Sequence, residues 1–131
     1  MPSPSDRDSW LCVEDMLAFR ERVLRYTGNV ERDAFLADPM RYDATLRNLE
    51  LIGEAANHVP DEVRAKAPSI PWRQVVATRN RLVHAYLGID PDTVWSIVRD
   101  DVPPLHAALE ALLDERYRKD SPTGWLRYKL R

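Results

Sequence analysis

Two aspartate–proline pairs, Asp38-Pro39 and Asp90-Pro91, constrain this chain more than any other feature. An aspartate carboxylate can accept from the unpaired amides of a helix's first turn. Proline suits the first helical position, where its missing N–H would have had no partner. Each pair therefore predicts a helix start. Around these signals apolar residues recur at spacings of three and four, as with Trp10, Val13, Leu17 and Leu24 within residues 9–26, closed by Thr27-Gly28. The helix begun at Pro39 should run to about His58, before Pro60, and residues 61–67 allow a short helical turn before Pro68. Pro71 opens a third long helix with Gly88 as its stop, and Pro91 a fourth reaching about Tyr117. Pro103-Pro104 should kink or divide that last helix near Asp101. No β alternation, hairpin dipeptide or internal repeat competes with this pattern. The expected fold is all-α, an up-and-down bundle of about four long helices.

At 131 residues and 44% hydrophobic, the chain is sized for one domain with its own core. The expected division is a helical domain over 1–117 and a basic tail over 118–131. The single cysteine, Cys12, excludes an internal disulfide framework and a cysteine-built zinc site. His58, His84 and His106 are too widely spaced to suggest a metal centre, so neither metal nor cofactor is expected. No apolar run approaches the ~18 residues of a membrane span, and the N-terminus lacks the cationic and apolar regions of a signal peptide. A cytoplasmic protein is expected. Net charge is −2, but residues 116–131 carry +5 and the remainder −7. An acidic body is not the footprint of a general nucleic-acid binder, and no short basic recognition helix is evident. Action on a polyanion must come from a local cationic site or from the tail, which could equally be a solvated terminus.

The third helix supplies such a site. Projected at ~100° per residue, Arg79 falls mid-stripe among Trp72, Val75, Val76, Leu82, Val83 and Tyr86. A guanidinium keeps its proton, so an inward arginine needs an anionic partner: a carboxylate of the fold or a phosphate from a ligand. The second helix offers carboxylates in a charged ladder, Asp43, Arg47, Glu50 and Glu54, lying between two apolar strips. One strip carries Tyr42, Leu46, Leu49, Gly53 and Ala56; the other carries Met40, Ala44, Leu51 and Ala55. Two strips suit a helix that also meets a second subunit, while the ladder alone could be a surface network. His84 lies ~140° round from Arg79, on the edge of Asn80, so one straight helix cannot focus both on one atom. His84 could be structural or could flank a cleft. Tyr86 projects within ~20° of Arg79 and could be a core or interface aromatic.

The run from Arg79 to Tyr86 reads Arg-x4-His-x-Tyr and resembles the signature of the HepT-like toxins of the HEPN ribonuclease superfamily. The likeness extends to residues 42–55, to Pro71-Trp72-Arg73, and to Gly88-Ile89-Asp90 with Val94-Trp95, covering about Trp10 to Leu113. The spacing alone is weak; set in these blocks it is specific. The proline-interrupted last helix and the tail have no counterpart in the resemblance.

The resemblance implies a homodimer whose paired motifs meet in a cleft at the interface, which would relieve the angular separation of Arg79 and His84. It implies metal-independent cleavage of RNA, with transfer RNA a substrate suggested by the family rather than by the residues. It also implies a nucleotidyltransferase antitoxin that can transfer AMP to the motif tyrosine, here Tyr86. The chemistry fits the side chains. His84, with an ordinary pKa near ~6.5, can move protons for attack by a 2′-hydroxyl. Arg79 can hold the charge of the phosphorane. Asn80, Arg81 and Arg47 are the candidate supporting contacts, and a small set of contacts suits RNA gripped by shape. The alternative is a non-catalytic helical partner of a nucleotidyltransferase. A scaffold has no need of the Arg79 and His84 pair, whereas the acidic body mildly favours it.

Overall fold

The computed structural model describes residues 6–83 and 90–120. Every regular element among them is helical. Helix α1 spans Asp6–Thr27, α2 Arg32–Leu36, α3 Pro39–Asn57, α4 Asp61–Arg64 and α5 Trp72–Val83. Helix α6, Pro91–Ser96, passes through a π-helical turn, Ile97–Asp101, into α7, Val102–Asp120. The start signals act as expected: Asp38 accepts from the backbone amide of Arg41 at 3.2 Å, and Asp90 from that of Asp92 at 3.0 Å. Helix α2 was not anticipated; it is held by a buried Phe35, whose ring meets Tyr42 and Trp95 at 5.7 and 5.1 Å. Helix α7 continues to Asp120, past the boundary expected after Tyr117. The end of α5 near Gly88 lies outside the described residues.

Helix α3 is the axis of the molecule, packed by α1 on one side and α5 on another. The start of α3 lies by the end of α1, where Arg41 Nη1 donates to the Tyr26 carbonyl at 2.7 Å. Its far end is closed by Arg64, which donates to the carbonyls of Ala56 and Val59, both at 2.9 Å. Ala56 is among the last four residues of α3, whose carbonyls have no partner within the helix, and Val59 lies just beyond its end. Helix α7 runs antiparallel to α1: the Tyr117 hydroxyl donates to Glu14, and Arg116 lies over the Trp10 ring. The core joins all of them through Val13, Met16, Leu46, Leu82, Val94, Leu109 and Leu113.

Pro103 and Pro104 divide the last helix near Asp101, as expected: α6 ends at Ser96 and α7 begins at Val102, with the π-helical turn between them. Lacking N–H groups, they leave the carbonyls of Arg99 and Asp100 without the usual donor four residues on. The chain answers with a wider turn, in which the Val102 amide reaches the Ile97 carbonyl five residues back.

Helices α3 and α5 cross almost in contact. A Cβ built on Gly53 would lie 2.2 Å from the Arg79 Cβ and 3.1 Å from the Val75 carbonyl oxygen. Only a residue without a side chain fits, because neither group can rotate away.

Two outcomes follow from this packing. Gly53→Ala should force the α3–α5 crossing apart and destabilise the protein by about 2 kcal/mol or more, read by chemical denaturation. Asp38→Ala should lower the melting temperature at neutral pH. The Arg41 backbone amide holds the Asp38 carboxyl below its ordinary value. A depressed folded pKa means the stabilisation is complete above the unfolded value of ~3.9 and is lost as pH falls through the lower folded value. The melting difference between the two proteins should therefore narrow below about pH 4.

Candidate active site

Helix α5 carries its motif arginine in the apolar stripe, as its periodicity predicts. Trp72 and Leu82 are buried, Val75, Val76 and Arg79 are half-buried, and Arg73, Gln74, Asn80 and Arg81 are exposed. The Arg79 stem lies flat on Gly53 of α3. Its Nη1 donates to the neutral Asn80 Oδ1 at 3.2 Å. No ion pair among the described residues includes Arg79. The carboxylate partner left open by the sequence is therefore not supplied by the α3 ladder. Long arginines can bury their stem and keep the charged head toward solvent, and the half-buried Arg79 does so.

The ladder is also less exposed than a surface network. Asp43, Arg47 and Glu54 face solvent, but Glu50 is only 7% exposed. Arg47 Nη1 meets Glu50 Oε2 at 3.4 Å, while Glu50 Oε1 is buried without a partner. Arg47 is thus tied to Glu50, and no hydrogen bond or ion pair brings it to Arg79. On the second strip of α3, Met40 is 82% exposed and Ala44, Leu51 and Ala55 are half-buried.

Arg81 points elsewhere. It lines a cleft of about 510 Å³ between α5, α3 and the segment from Ile97 to Ala108. Ile70, Val75 and Leu105 give that cleft apolar walls, and Asp100 and Asp101 face it from the π-helical turn. Arg79 and Asn80 therefore form one group and Arg81 belongs to another. His84 and Tyr86 lie outside the described residues.

Sequence periodicity found Arg79 but not the means of holding it. Gly53 appeared only as one member of an apolar strip. The available signal was a glycine inside a helix, costly to helix formation unless something must approach closely. Glu50 was indistinguishable from its ladder neighbours because spacing does not tell which rung faces inward. Among the described residues, no group of three or more His, Cys, Asp or Glu could hold a metal ion. No helix among them is long and apolar enough to cross a membrane.

Known proteins place this arrangement in a family. The profile described as "Ribonuclease HepT-like" matches residues 16–112. A Methanocaldococcus jannaschii protein named as a candidate RNase is 36% identical over 106 residues, covering 81% of this chain and 97% of its own. A Thermococcus cleftensis protein named as a candidate ribonuclease HepT is 35% identical, covering 76% of this chain and 91% of its own. A candidate RNase of the bacterium Caldanaerobacter subterraneus is 28% identical, with coverages of 79% and 92%. No solved structure matches the chain. The match spans α3, the Gly53 crossing and the whole motif-bearing helix, and this chain belongs to the HepT-like ribonucleases of the HEPN superfamily.

Proposed function

We propose that this ribonuclease is the toxin of a toxin–antitoxin pair, a metal-independent endoribonuclease acting with Arg79 and His84. The observation that carries the reading is Arg79 itself: a guanidinium seated on α3 by Gly53, with a neutral amide as its hydrogen-bond partner. A seated cation with no carboxylate partner among the described residues is prepared for an incoming phosphate. In the reaction, the ribose 2′-oxygen attacks the adjacent phosphorus and the bond to the 5′-oxygen breaks. The products are a 2′,3′-cyclic phosphate and a 5′-hydroxyl. His84 moves the proton, taken from the 2′-hydroxyl or given to the departing 5′-oxygen. Arg79 holds the extra negative charge of the phosphorane through paired N–H donors. Asn80 orients the guanidinium.

The working unit is a homodimer with its cleft between the two motif helices, so that one subunit's His84 complements the other's. The strip of Met40, Ala44 and Leu51 on α3 supports a second subunit, because Met40 is exposed and Ala44 and Leu51 are only half-buried, leaving apolar surface partly uncovered. The partner that silences the enzyme is a nucleotidyltransferase antitoxin. It transfers AMP from ATP to the Tyr86 hydroxyl and releases pyrophosphate. The added phosphate would compete for Arg79 while the nucleoside blocks the cleft. A structured RNA such as transfer RNA is the proposed substrate. Arg47 and Arg81 are secondary contacts at most, since Arg47 is tied to Glu50 and Arg81 shares its cleft with Asp100 and Asp101.

Purified wild-type protein should produce discrete RNA ends in the presence of a chelator. Arg79→Ala should reduce kcat/KM by about 10²–10³-fold and His84→Ala by about 10²–10⁴-fold, both without loss of helicity. Full activity in both variants would overturn the assignment, and an inert but folded wild type, unmodified at Tyr86, would favour the non-catalytic partner. Co-expression with an adjacent nucleotidyltransferase gene should add one adenylate, absent from Tyr86→Phe by mass spectrometry.

A further inference from the structure

Away from the motif, a second arginine makes no ion pair among the described residues. Arg20 of α1 is only 7% exposed, and its Nε and Nη1 are buried without a hydrogen-bond acceptor. Burial pulls its pKa down from the ordinary value, opposed by the charges of Glu110 and Glu21. An arginine nevertheless stays protonated, so the charge is kept in a largely buried place with no hydrogen-bond acceptor for Nε or Nη1 among the described residues. The nearby carboxylate does not discharge it. Glu110 instead meets His106 Nε2 at 3.1 Å, and no ion pair joins it to Arg20.

Arg20 lines a pocket of about 130 Å³ between the end of α1 and the π-helical turn. Arg99 lines it from the other side, and no acidic residue does. Arg99 is steadied by Trp95, its guanidinium carbon 5.6 Å from the ring centroid. The remaining wall includes Val98, Val102 and Pro103, with the Thr27 hydroxyl nearby. The turn sorts its own charges: Arg99 faces this pocket, while Asp100 and Asp101 face the larger cleft on its other side. The volume exceeds the ~30 Å³ share of one water several-fold, enough for a tetrahedral anion and an accompanying water.

We propose that this pocket binds a small oxyanion of the phosphate class, gripped between the buried Arg20 and the exposed Arg99. Arg20, which lines the pocket, supplies charge-assisted N–H bonds to the anion, and Arg99 closes over it from solvent. The same chemistry admits two sources, free inorganic phosphate or a phosphodiester of RNA bound along the α1 face. The site does not depend on cleavage at Arg79 and His84.

The test uses the full chain labelled with ¹⁵N, following the arginine Nε–Hε resonances, with Arg20 assigned by its loss in Arg20→Met. At constant ionic strength, inorganic phosphate should shift the Arg20 resonance saturably and chloride should not. Arg99→Ala, an exposed change that leaves the core untouched, should weaken binding about ten-fold. In phosphate-free buffer Arg20→Met should melt at or above the wild-type temperature, because an unpaired buried charge is replaced by an apolar chain. Phosphate should then no longer raise that temperature. A dinucleoside monophosphate that moves the same resonance and is displaced by phosphate identifies RNA as the source; a response to phosphate alone identifies the free anion. A resonance that neither ligand moves saturably means a pocket holding water only and overturns the proposal. So does an Arg20→Met protein still stabilised by phosphate like wild type. Persistence of binding in a cleavage-dead His84→Ala protein separates this outcome from that of the catalytic reading.

Discussion

The contact between Gly53 and the Cβ of Arg79 organises the rest of the molecule. With no side chain at Gly53, α5 settles against α3 until the arginine stem rests on its backbone. At that separation the apolar residues flanking Arg79 reach the common core, and Trp72 and Leu82 become buried. The crossing also fixes the root of the Arg79 side chain, whose Cβ and Cγ lie against the Gly53 position, while the head meets Asn80 Oδ1. A larger residue at 53 would loosen the core and displace Arg79 together, which couples packing to the proposed site at a single backbone position.

Where local chemistry decides the structure, the sequence was readable. Asp38 and Asp90 cap their helices because carboxylates and free amides lie within three residues of one another, and the prolines beside them add φ angles already suited to a first turn. Arg79 was placed correctly because helical periodicity needs no knowledge of neighbours. Legibility ended where a distant partner decides. Glu50 and Glu54 have the same chemistry at neighbouring positions of one ladder, yet one is buried and the other exposed. Helix α2 is too short for periodicity and exists because Phe35 finds Tyr42 and Trp95. Pro103 and Pro104 announced a disturbance in the last helix, but its form depends on whether the freed carbonyls can be served by a wider turn.

That wider turn changes the electrostatics as well as the path. Three charged residues in succession, Arg99, Asp100 and Asp101, would largely cancel on a short exposed loop. Here the turn is wedged between two clefts, so the arginine is delivered to one and the aspartates to the other. The net charge of the chain says nothing about this separation. An acidic body can still present locally positive pockets, and an RNA-acting protein of net charge −2 is no contradiction.

The other shielded arginines of the fold show what an ordinary structural role looks like. Arg41 and Arg64 are both half-buried, and both spend their N–H groups on carbonyls at helix ends. Each answers a need created by the fold, and each is answered in return. Among the described residues, Arg79 meets the neutral Asn80 side chain and no carboxylate, and Arg20 is buried more deeply with two nitrogens lacking an acceptor. Burying an uncompensated charge costs several kcal/mol. A fold that satisfies two of its arginines so fully has the means to satisfy the others; Glu50 and Glu110, each engaged by a neighbour on its own helix, are carboxylates it withholds. The same pattern at two separated places is what the phosphate contacts proposed for Arg79 and Arg20 have in common.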